Sequence, residues 1–454
     1  MLLDNHGGKF MTEYILQLLE QKNYIKIKST VKDIIPPDLA ALLESLEPRD
    51  ITLIFRLLPK ELAAETFTYM DSDTQMHLIS GFSDKELREM FDEIFVDDTV
   101  DIIEEMPANV VARILKNSDL ETRKQINTIL NYPADSAGSL MTTEYVYLHR
   151  DMTSKDALDW IRKVGVVKET IYTCYVTEAR KLIGYVTILD LVTADEDTVI
   201  ESIMDTNVIS VNTHEDREIV AKKFSKYDFL AMPVVDNENR IVGIITFDDV
   251  LDVIQEENEE DFSKMAAMQP TEGSYFKTPV LIHVKNRILW LLVLMLSATI
   301  TGTLLTKYEE SFQTIPLLVS FIPMLMSTAG NCGSQSSTTV IRGLATEEIQ
   351  FKDYFRVAFK EFRISIVVSL ILSLTNSLRI LVMYKDFRLS AVIFLSLIGI
   401  IIIAKFVGCT LPLLAKKFKI DPAIMANPLI STILDTCSML IYFQIATLIF
   451  SELR

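Results

Sequence analysis

The pattern of apolar and polar positions changes character near residue 280. Beyond that point five apolar stretches can be drawn, at about 288–306, 312–340, 364–384, 390–415 and 423–450. Each is near or above the ~20 residues that a helix needs to cross a bilayer. Upstream, residues 31–131 carry short helical patterns such as Leu39-Ala-Ala-Leu-Leu-Glu-Ser-Leu and Ala108-Asn-Val-Val-Ala-Arg-Ile-Leu. Pro-Pro-Asp38, Asp71-Ser-Asp73 and Ser83-Asp84 flag helix starts among them. No strand-like alternation interrupts these patterns, which predicts an all-α, superhelical stack of short helices over 1–131.

Residues 132–257 hold an internal repeat. Met141-Thr-Thr-Glu-Tyr-Val-Tyr-Leu, an amphipathic helix and Leu182-Ile-Gly-Tyr-Val-Thr-Ile-Leu-Asp-Leu-Val form one copy. Met204-Asp-Thr-Asn-Val-Ile-Ser-Val, a second helix and Ile241-Val-Gly-Ile-Ile-Thr-Phe-Asp-Asp-Val-Leu form the other. Gly184 and Gly243 fall at equivalent places, as do Thr187 and Thr246. Each copy reads strand, helix, strand, strand, helix and resembles a CBS module, so a tandem α/β regulatory domain is expected. Such pairs often bind adenosine nucleotides, which makes ATP a possible ligand, although no phosphate-binding signature is clear. No Walker-type glycine loop occurs, which argues against an ATP-driven pump. An acidic run follows, from Asp248, Asp249 and Asp252 to Glu256, Glu257, Glu259, Glu260 and Asp261, on a predicted helix continuing toward the first span. Like charges at these spacings repel, and divalent ions would relieve the repulsion. A connecting helix over 258–284 and a five-span membrane domain over 285–454 complete the expected organisation of a multidomain membrane protein.

Charge separates the two halves further. From Val280 onward there are 16 basic and 10 acidic residues, a net of +6, against 28 and 52 before it, a net of −24. The acidic half argues against nucleic acid as a partner and favours cations. Lys285 and Arg287 precede the first span; Arg342, Lys352, Arg356, Lys360 and Arg363 lie between the second and third; Lys416, Lys417 and Lys419 lie between the fourth and fifth. The other side carries Lys307, Lys385, Arg388 and Arg454. The basic loops and the soluble half are therefore expected in the cytosol, with the C-terminus outside a cell membrane crossed several times. The N-terminus has no signal-peptide pattern. Cys174, Cys332, Cys409 and Cys437 have neither disulfide nor metal-ligand spacing.

Two spans carry chemistry. Asp435 stands deep in the last, and a carboxylate there costs roughly 2.5–3.5 kcal/mol on insertion scales. Asn427, Ser431, Asp435, Ser438 and Tyr442 share its helical face, as expected for the wall of a cation path. A buried aspartate bonded to a neighbouring helix is the alternative. In the second span, Ser327 to Thr339 reads Ser-Thr-Ala-Gly-Asn-Cys-Gly-Ser-Gln-Ser-Ser-Thr-Thr, a surface that lipid would not tolerate. Asn331, Gln335, Thr338 and Arg342 fall on one face, and their oxygens suit a hard cation or its water shell. Gly330 and Gly333 permit close backbones or exposed carbonyls. Pro316 and Pro323 predict an irregular helix. Ser365, Ser369 and Ser373 read as a packing stripe. Lys405 reaches an interface or pairs internally. Glu309 and Glu310 lie in the outer loop, where they gather cations or are simply solvated.

Phe321-Ile-Pro-Met-Leu-Met-Ser-Thr-Ala-Gly-Asn-Cys-Gly-Ser-Gln-Ser-Ser-Thr-Thr-Val-Ile-Arg-Gly-Leu-Ala resembles the second-span signature of the MgtE family of magnesium channels and transporters. Asp421-Pro-Ala, and Leu434-Asp435 followed by Leu440-Ile-Tyr-Phe, resemble its last span. Ser136-Ala-Gly-Ser-Leu-Met-Thr-Thr-Glu-Tyr resembles its entry into the CBS pair. The resemblance covers nearly the whole chain in the same order. It implies a homodimer in the bilayer and passive Mg2+ entry through a pore between the two membrane domains; an enzyme is not expected, since no nucleophile–base pair or metal-ligand cluster is visible in the sequence. Asp435 matches the pore carboxylate, with Asn331, Ser431, Asn427 and Gln335 beside it. It also implies closure by Mg2+ at cytosolic acids, the matching positions being Asp216, Glu218, Asp228, Asp249, Asp252, Glu257 and Glu260, with Asp98 or Asp101 from the N domain. Asp421 matches an acid facing the connecting helix. Ala329-Gly330 and Met425-Ala-Asn-Pro428 depart from the family pattern and bear on pore width. Two other classes stay open: a transporter of cobalt, nickel or zinc, against which the lack of paired His or Cys in the spans argues, and a membrane-anchored nucleotide sensor.

Overall fold

The computed structural model describes residues 5–271, 275–276, 278–308, 313–425 and 427–453, with side chains from residue 10 onward except that of Asn427. Glu309, Glu310 and the Asn427 side chain, all named above, therefore lie outside the described residues. Two compact units divide the chain, Met1–Ile254 and Gln255–Arg454.

The first unit begins with short helices from Asn5–Glu20 to Leu120–Ile129, and no strand precedes Tyr147 among the described residues. Local capping sets their ends. Asp71 accepts the Thr74 N–H at 2.9 Å to start Ser72–Gly81. Ser83 and Glu86 cap Asp84–Phe91 reciprocally, and prolines open Pro36–Glu44. Their apolar faces, with Ile54, Phe67, Leu78 and Leu87 buried, form a core that runs on into the repeat through Val220, Phe224 and Met232. The helical N domain and the repeat's second copy thus share one core.

The repeat is built as its sequence symmetry predicts. Tyr147–His149 pairs in parallel with Thr173–Glu178, which pairs antiparallel with Lys181–Thr187. Val211–Asn212, Ala231–Val235 and Ile241–Thr246 repeat that order. Gly184 and Gly243 sit opposite Val176 and Val234, each beside a register shift. A Cβ on Gly184 would meet the Asp205 carbonyl at 2.9 Å, and one on Gly243 the Thr142 carbonyl at 2.6 Å. Each copy therefore takes in the entry strand of the other, and glycine is required at both crossings. Thr187 and Thr246 are equivalent caps, paired with Asp190 and Asp249.

The helix bearing the acidic run, Phe247–Met265, ends well before the first span rather than continuing to it. Ala267 takes φ 54° and Met268 N–H closes back on the Ser263 carbonyl at 2.9 Å, with Pro270 following; Pro279 caps the start of the first-span helix at Val280.

The second unit contains five helices long and apolar enough to cross a membrane: Val280–Lys307, Pro316–Ala345, Phe351–Tyr384, Phe387–Lys417 and Pro422–Ile449. All five expected spans are present. The third starts earlier than its apolar run, because helix continues through the exposed Lys352, Arg356, Lys360 and Arg363. Pro316 opens a 3-10 turn, Pro316–Phe321, and Pro323 sits in the first turn of Ile322–Ala345, giving the irregular entry expected. Ser365, Ser369 and Ser373 are buried and donate to the carbonyls of Phe362, Ile366 and Leu370, in keeping with a packing stripe.

Second and fourth spans touch backbone to backbone, where a Cβ on Gly408 would collide with the Gly333 carbonyl oxygen. Gly408→Ala should therefore destabilise the membrane unit by ~1–3 kcal/mol, the usual range for overpacking. A lowered unfolding temperature in detergent checks this; an unchanged one means the helices part freely.

Candidate functional site: an intramembrane carboxylate and a buried acidic cluster

The last-span helix Asn427–Ile449 lies against the second. Gly330 leaves room for Ser431, whose Oγ would stand 3.2 Å from a Cβ at that position. One turn on, Leu434 and Ile430 fill the space left by Gly333. Asn331 and Asp435 each follow these contacts by one residue. On the second span, Asn331, Gln335, Thr338 and Arg342 are all exposed, while Ser336, Ser337 and Val340 between them are buried. The predicted polar face is therefore real, and it points away from the protomer's own core. Ser431 and Asp435 are half-buried, and no side chain among the described residues bonds or pairs with the Asp435 carboxylate. Among the described residues, the alternative of an aspartate bonded to a neighbouring helix therefore finds no partner within the protomer.

The stripe does not run the full length of the last span. Ser438 and Tyr442 are 2% and 1% exposed, and the Tyr442 hydroxyl donates to the Leu318 carbonyl at 2.9 Å. Helical periodicity placed them on the face of Asp435, but the 3-10 turn before the second span covers that end of the helix.

A second constellation lies in the first unit. Asp97, in the opening turn of Val96–Glu105, meets Glu144 and Glu169, with ligand oxygens all within 4.8 Å of one another. The Val96 N–H donates to Glu144 Oε2 at 3.4 Å, and the Glu169 N–H to the Glu144 carbonyl at 2.9 Å, which ties the three segments together. Asp97 is 7% exposed, and its Oδ1 and Glu169 Oε2 are buried without a hydrogen-bond partner among the described residues. Burial, then the charges of Asp249 and Glu169, drives Asp97 well above the carboxylate range. Burial and the neighbouring Asp249 and Asp248 push Glu169 up to about 8. Burial likewise raises Asp249 to about 7, against the Thr246 hydrogen bond, and Asp98 to about 6 with help from Asp248. Glu144 is raised by burial as well. Several half-buried acids share one site with no salt bridge to the central three among the described residues. The donor set suits a hard divalent cation. With Mg–O at ~2.1 Å, opposite ligands of one ion stand ~4.2 Å apart, a spacing of the same order as this cluster.

Asp421 behaves differently. Lys264 Nζ lies 2.7 Å from both Asp421 Oδ2 and Glu260 Oε1, and Asp421 Oδ1 accepts the Ala423 N–H at 2.8 Å. Burial works against the ammonium, but its bonds to Asp421 and Glu260 outweigh that and hold it above the usual lysine range. A lysine, not two bare acids, occupies this junction.

Residues 322–445 match the MgtE family of divalent cation transporters, 34–135 the MgtE intracellular N domain, and 137–197 and 200–256 CBS domains. The magnesium transporter MgtE of Thermus thermophilus is 34% identical over 439 residues, spanning 95% of this chain and 97% of its own. The chain belongs to the MgtE family of magnesium transporters. The Bacillus subtilis member is 32% identical over 423 residues, covering 90% of this chain and 93% of its own. Among solved structures, the cytosolic domain of the Mg2+ channel MgtE in complex with ATP matches with a TM-score of 0.51 at 34% identity, covering 53% of this chain and 99% of that one. The soluble part of a magnesium transporter matches at 0.52 and 27%, covering 55% and 99%. With five candidate spans, the chain is a multi-pass membrane transporter and not an enzyme.

The cytosolic residues expected from the MgtE resemblance do not form one cluster in the protomer. Asp98 and Asp249 border the Asp97 site, and Asp252, raised by burial and by Asp248, stands exposed beside it. Asp101, the other N-domain candidate, is exposed. Asp216 and Glu218 start Arg217–Tyr227 and Asp228 ends it, about 15 Å from Glu218 and about 18 Å from Asp216 by helix rise. Glu218 pairs with Lys222 at 2.7 Å. Glu257 is half-buried. The reading of the sequence missed Asp97, Glu144 and Glu169. One signal was present: Asp97 shares the helical face of Val100, where an acid has no reason to be buried alone.

Proposed function

We propose that this MgtE member is a magnesium-gated, passive Mg2+ uptake channel formed by two copies of the chain in the cell membrane. Its ion path is lined by Asp435 with Asn331, Gln335, Ser431 and Asn427. The observation that carries the reading is the half-buried Asp435 carboxylate, unpaired among the described residues, on a helix that packs against Gly330 and Gly333 of the second span and leaves the neighbouring Asn331 and Gln335 exposed. That face cannot rest in hydrocarbon, so it meets a partner protomer or water. Its amide oxygens, and a single carboxylate from each copy, suit an ion that keeps much of its water shell. The Lys/Arg bias of the loops supports a cytosolic N-terminal half and an extracytoplasmic C-terminus. Entry is downhill: the membrane potential supplies about 2.3 kcal/mol per charge per 100 mV, ~4.6 kcal/mol for Mg2+.

Gating follows from charge. When cytosolic Mg2+ is scarce, Asp97, Glu144, Glu169 and Asp249 stand buried together without a counter-charge, and each that ionises repels the others and loosens the N domain from the repeat. When it is plentiful, ions bridge them and the path closes. Moving the balance from 1:99 to 99:1 takes about 5.5 kcal/mol of differential binding, which several weak carboxylate sites together can supply. The CBS pair takes ATP as a further ligand in this reading, supported by the ATP complex of the 34% identical cytosolic domain.

The test is Mg2+ entry into proteoliposomes with a trapped fluorescent indicator, at low and high Mg2+ on the side of the soluble domains. Entry at low and arrest at high concentration is expected; no entry at either would sink the reading. In the same assay, Lys264→Met should steepen the dependence on Mg2+, since one more ion is then needed to bridge Glu260 and Asp421. Lys264→Arg should keep the wild-type curve. Identical curves for all three would remove this junction from gating.

A further inference from the structure

We infer that the Lys405–Glu361 ion pair, with Ser336, fixes the rotation of the second-span helix Ile322–Ala345 and so decides which of its side chains line the ion path. This rests on the reading that this helix lines the path. Rotation of a spanning helix is ordinarily set by burying its apolar or small face, but from Ser327 to Thr339 this helix is small or polar all round. Nothing in that stretch distinguishes Gln335 from Ser336 by hydrophobicity. A turn of one residue would present Ser336 in place of Gln335 and Cys332 in place of Asn331.

The inner face carries the discriminating contacts. Ser336 is 1% exposed, and its hydroxyl donates to Glu361 Oε2 at 2.7 Å and lies 3.2 Å from the Lys405 carbonyl oxygen. Lys405 Nζ stands 3.8 Å from the same Glu361 oxygen, the two side chains being 8% and 10% exposed. Glu361 belongs to the third span and Lys405 to the fourth, so one hydroxyl of the second span reads both. One turn away, Gly333 meets Gly408, which lets the backbones come close enough for that contact. Charges at such depth are costly and seldom retained without a role. The best attested role of a buried polar group is to specify one register among several. Glu361 and Lys405 do not stand on the face of Asn331 and Gln335. They are positioning residues, not ligands of the ion.

The experiment compares Lys405→Met, Glu361→Gln and the double variant in full-length protein, measuring unfolding temperature in detergent, Mg2+ entry, and the ratio of Mg2+ to Ca2+ entry. Each single change leaves a buried charge alone and should lower stability. The double variant removes both charges and should recover stability while Mg2+ entry stays at least ten-fold down and the Mg2+ to Ca2+ ratio falls. Lys405→Arg should retain entry and selectivity. If the singles do not fold, the double variant decides by itself. A double variant as stable, active and selective as the wild type overturns the inference. Asp435→Asn and Gln335→Ala, run alongside, separate the two ideas. If neither changes entry, the path reading has failed. If they do and the double variant behaves as wild type, only the register assignment has.

Discussion

Replacing Asp435 with asparagine is expected to cut Mg2+ entry on the order of 100-fold while the protein still folds. Asparagine keeps the volume and the polarity of the side chain and removes only its charge. Two unit charges 4 Å apart interact by about 4 kcal/mol at an effective dielectric of 20, and a divalent ion doubles this. Water in the path screens much of it, but ~2.7 kcal/mol suffices for a hundredfold effect on rate. The folded state should tolerate the change, because no side chain among the described residues depends on the carboxylate. Tyr442→Phe supplies the contrast, on the same helical face but facing inward. It removes the bond to the Leu318 carbonyl and should cost about 1 kcal/mol of stability with little effect on entry. Wild-type entry by the Asp435→Asn protein would place the path elsewhere.

What could be read from the chain, and what could not, divides by the range of the interactions. The spans were legible because four are long apolar runs and the second opens on one, and only the basic start of the third was set too late. Capping at Asp71 and Ser83 and the glycine crossings at Gly184 and Gly243 are short-range or repeated signals, and they held. The end of the helix at Met265 was missed because Ala267, with φ 54°, is not the glycine or asparagine that usually marks such a stop. Periodicity located the face shared by Asp435, Ser438 and Tyr442 but not what covers each part of it. The Asp97, Glu144 and Glu169 site joins three distant segments, each holding one ordinary acid. The pairing of Lys405 with Glu361 is of the same kind: one of the two possibilities open from the sequence, settled by the packing of neighbouring spans.

The acidic site makes stability depend on pH in a direction that its burial fixes. Glu169, Asp249 and Asp98 titrate near 8, 7 and 6 in the folded chain, and near 4 once unfolded. A carboxyl raised in this way supports the fold fully below about pH 4, and that support is lost as pH climbs through its folded value. Between those limits the unfolded chain has released protons that the folded one still holds, so each such group lowers stability by at most about 1.4 kcal/mol per pH unit. Without divalent ions, the unfolding temperature of the full-length protein in detergent should therefore fall steadily from about pH 5 to pH 8. Mg2+ binds the ionised acids and must displace the remaining protons, so its stabilising effect should be small at pH 5.5 and large at pH 8. The paired change Asp97→Asn and Glu169→Gln removes two of the mutually repelling groups. It should flatten the pH dependence, raise stability at pH 8 in the absence of Mg2+, and shift the closing concentration of Mg2+ upward by roughly tenfold, the equivalent of ~1.4 kcal/mol of lost differential binding. Hydrogen exchange along Val96–Glu105 reads the local event directly, since loosening of the N domain from the repeat exposes that helix first. Exchange there that is as slow without Mg2+ at pH 8 as with it would mean the acids do not drive the domains apart, and gating would have to be sought beside Lys264 instead.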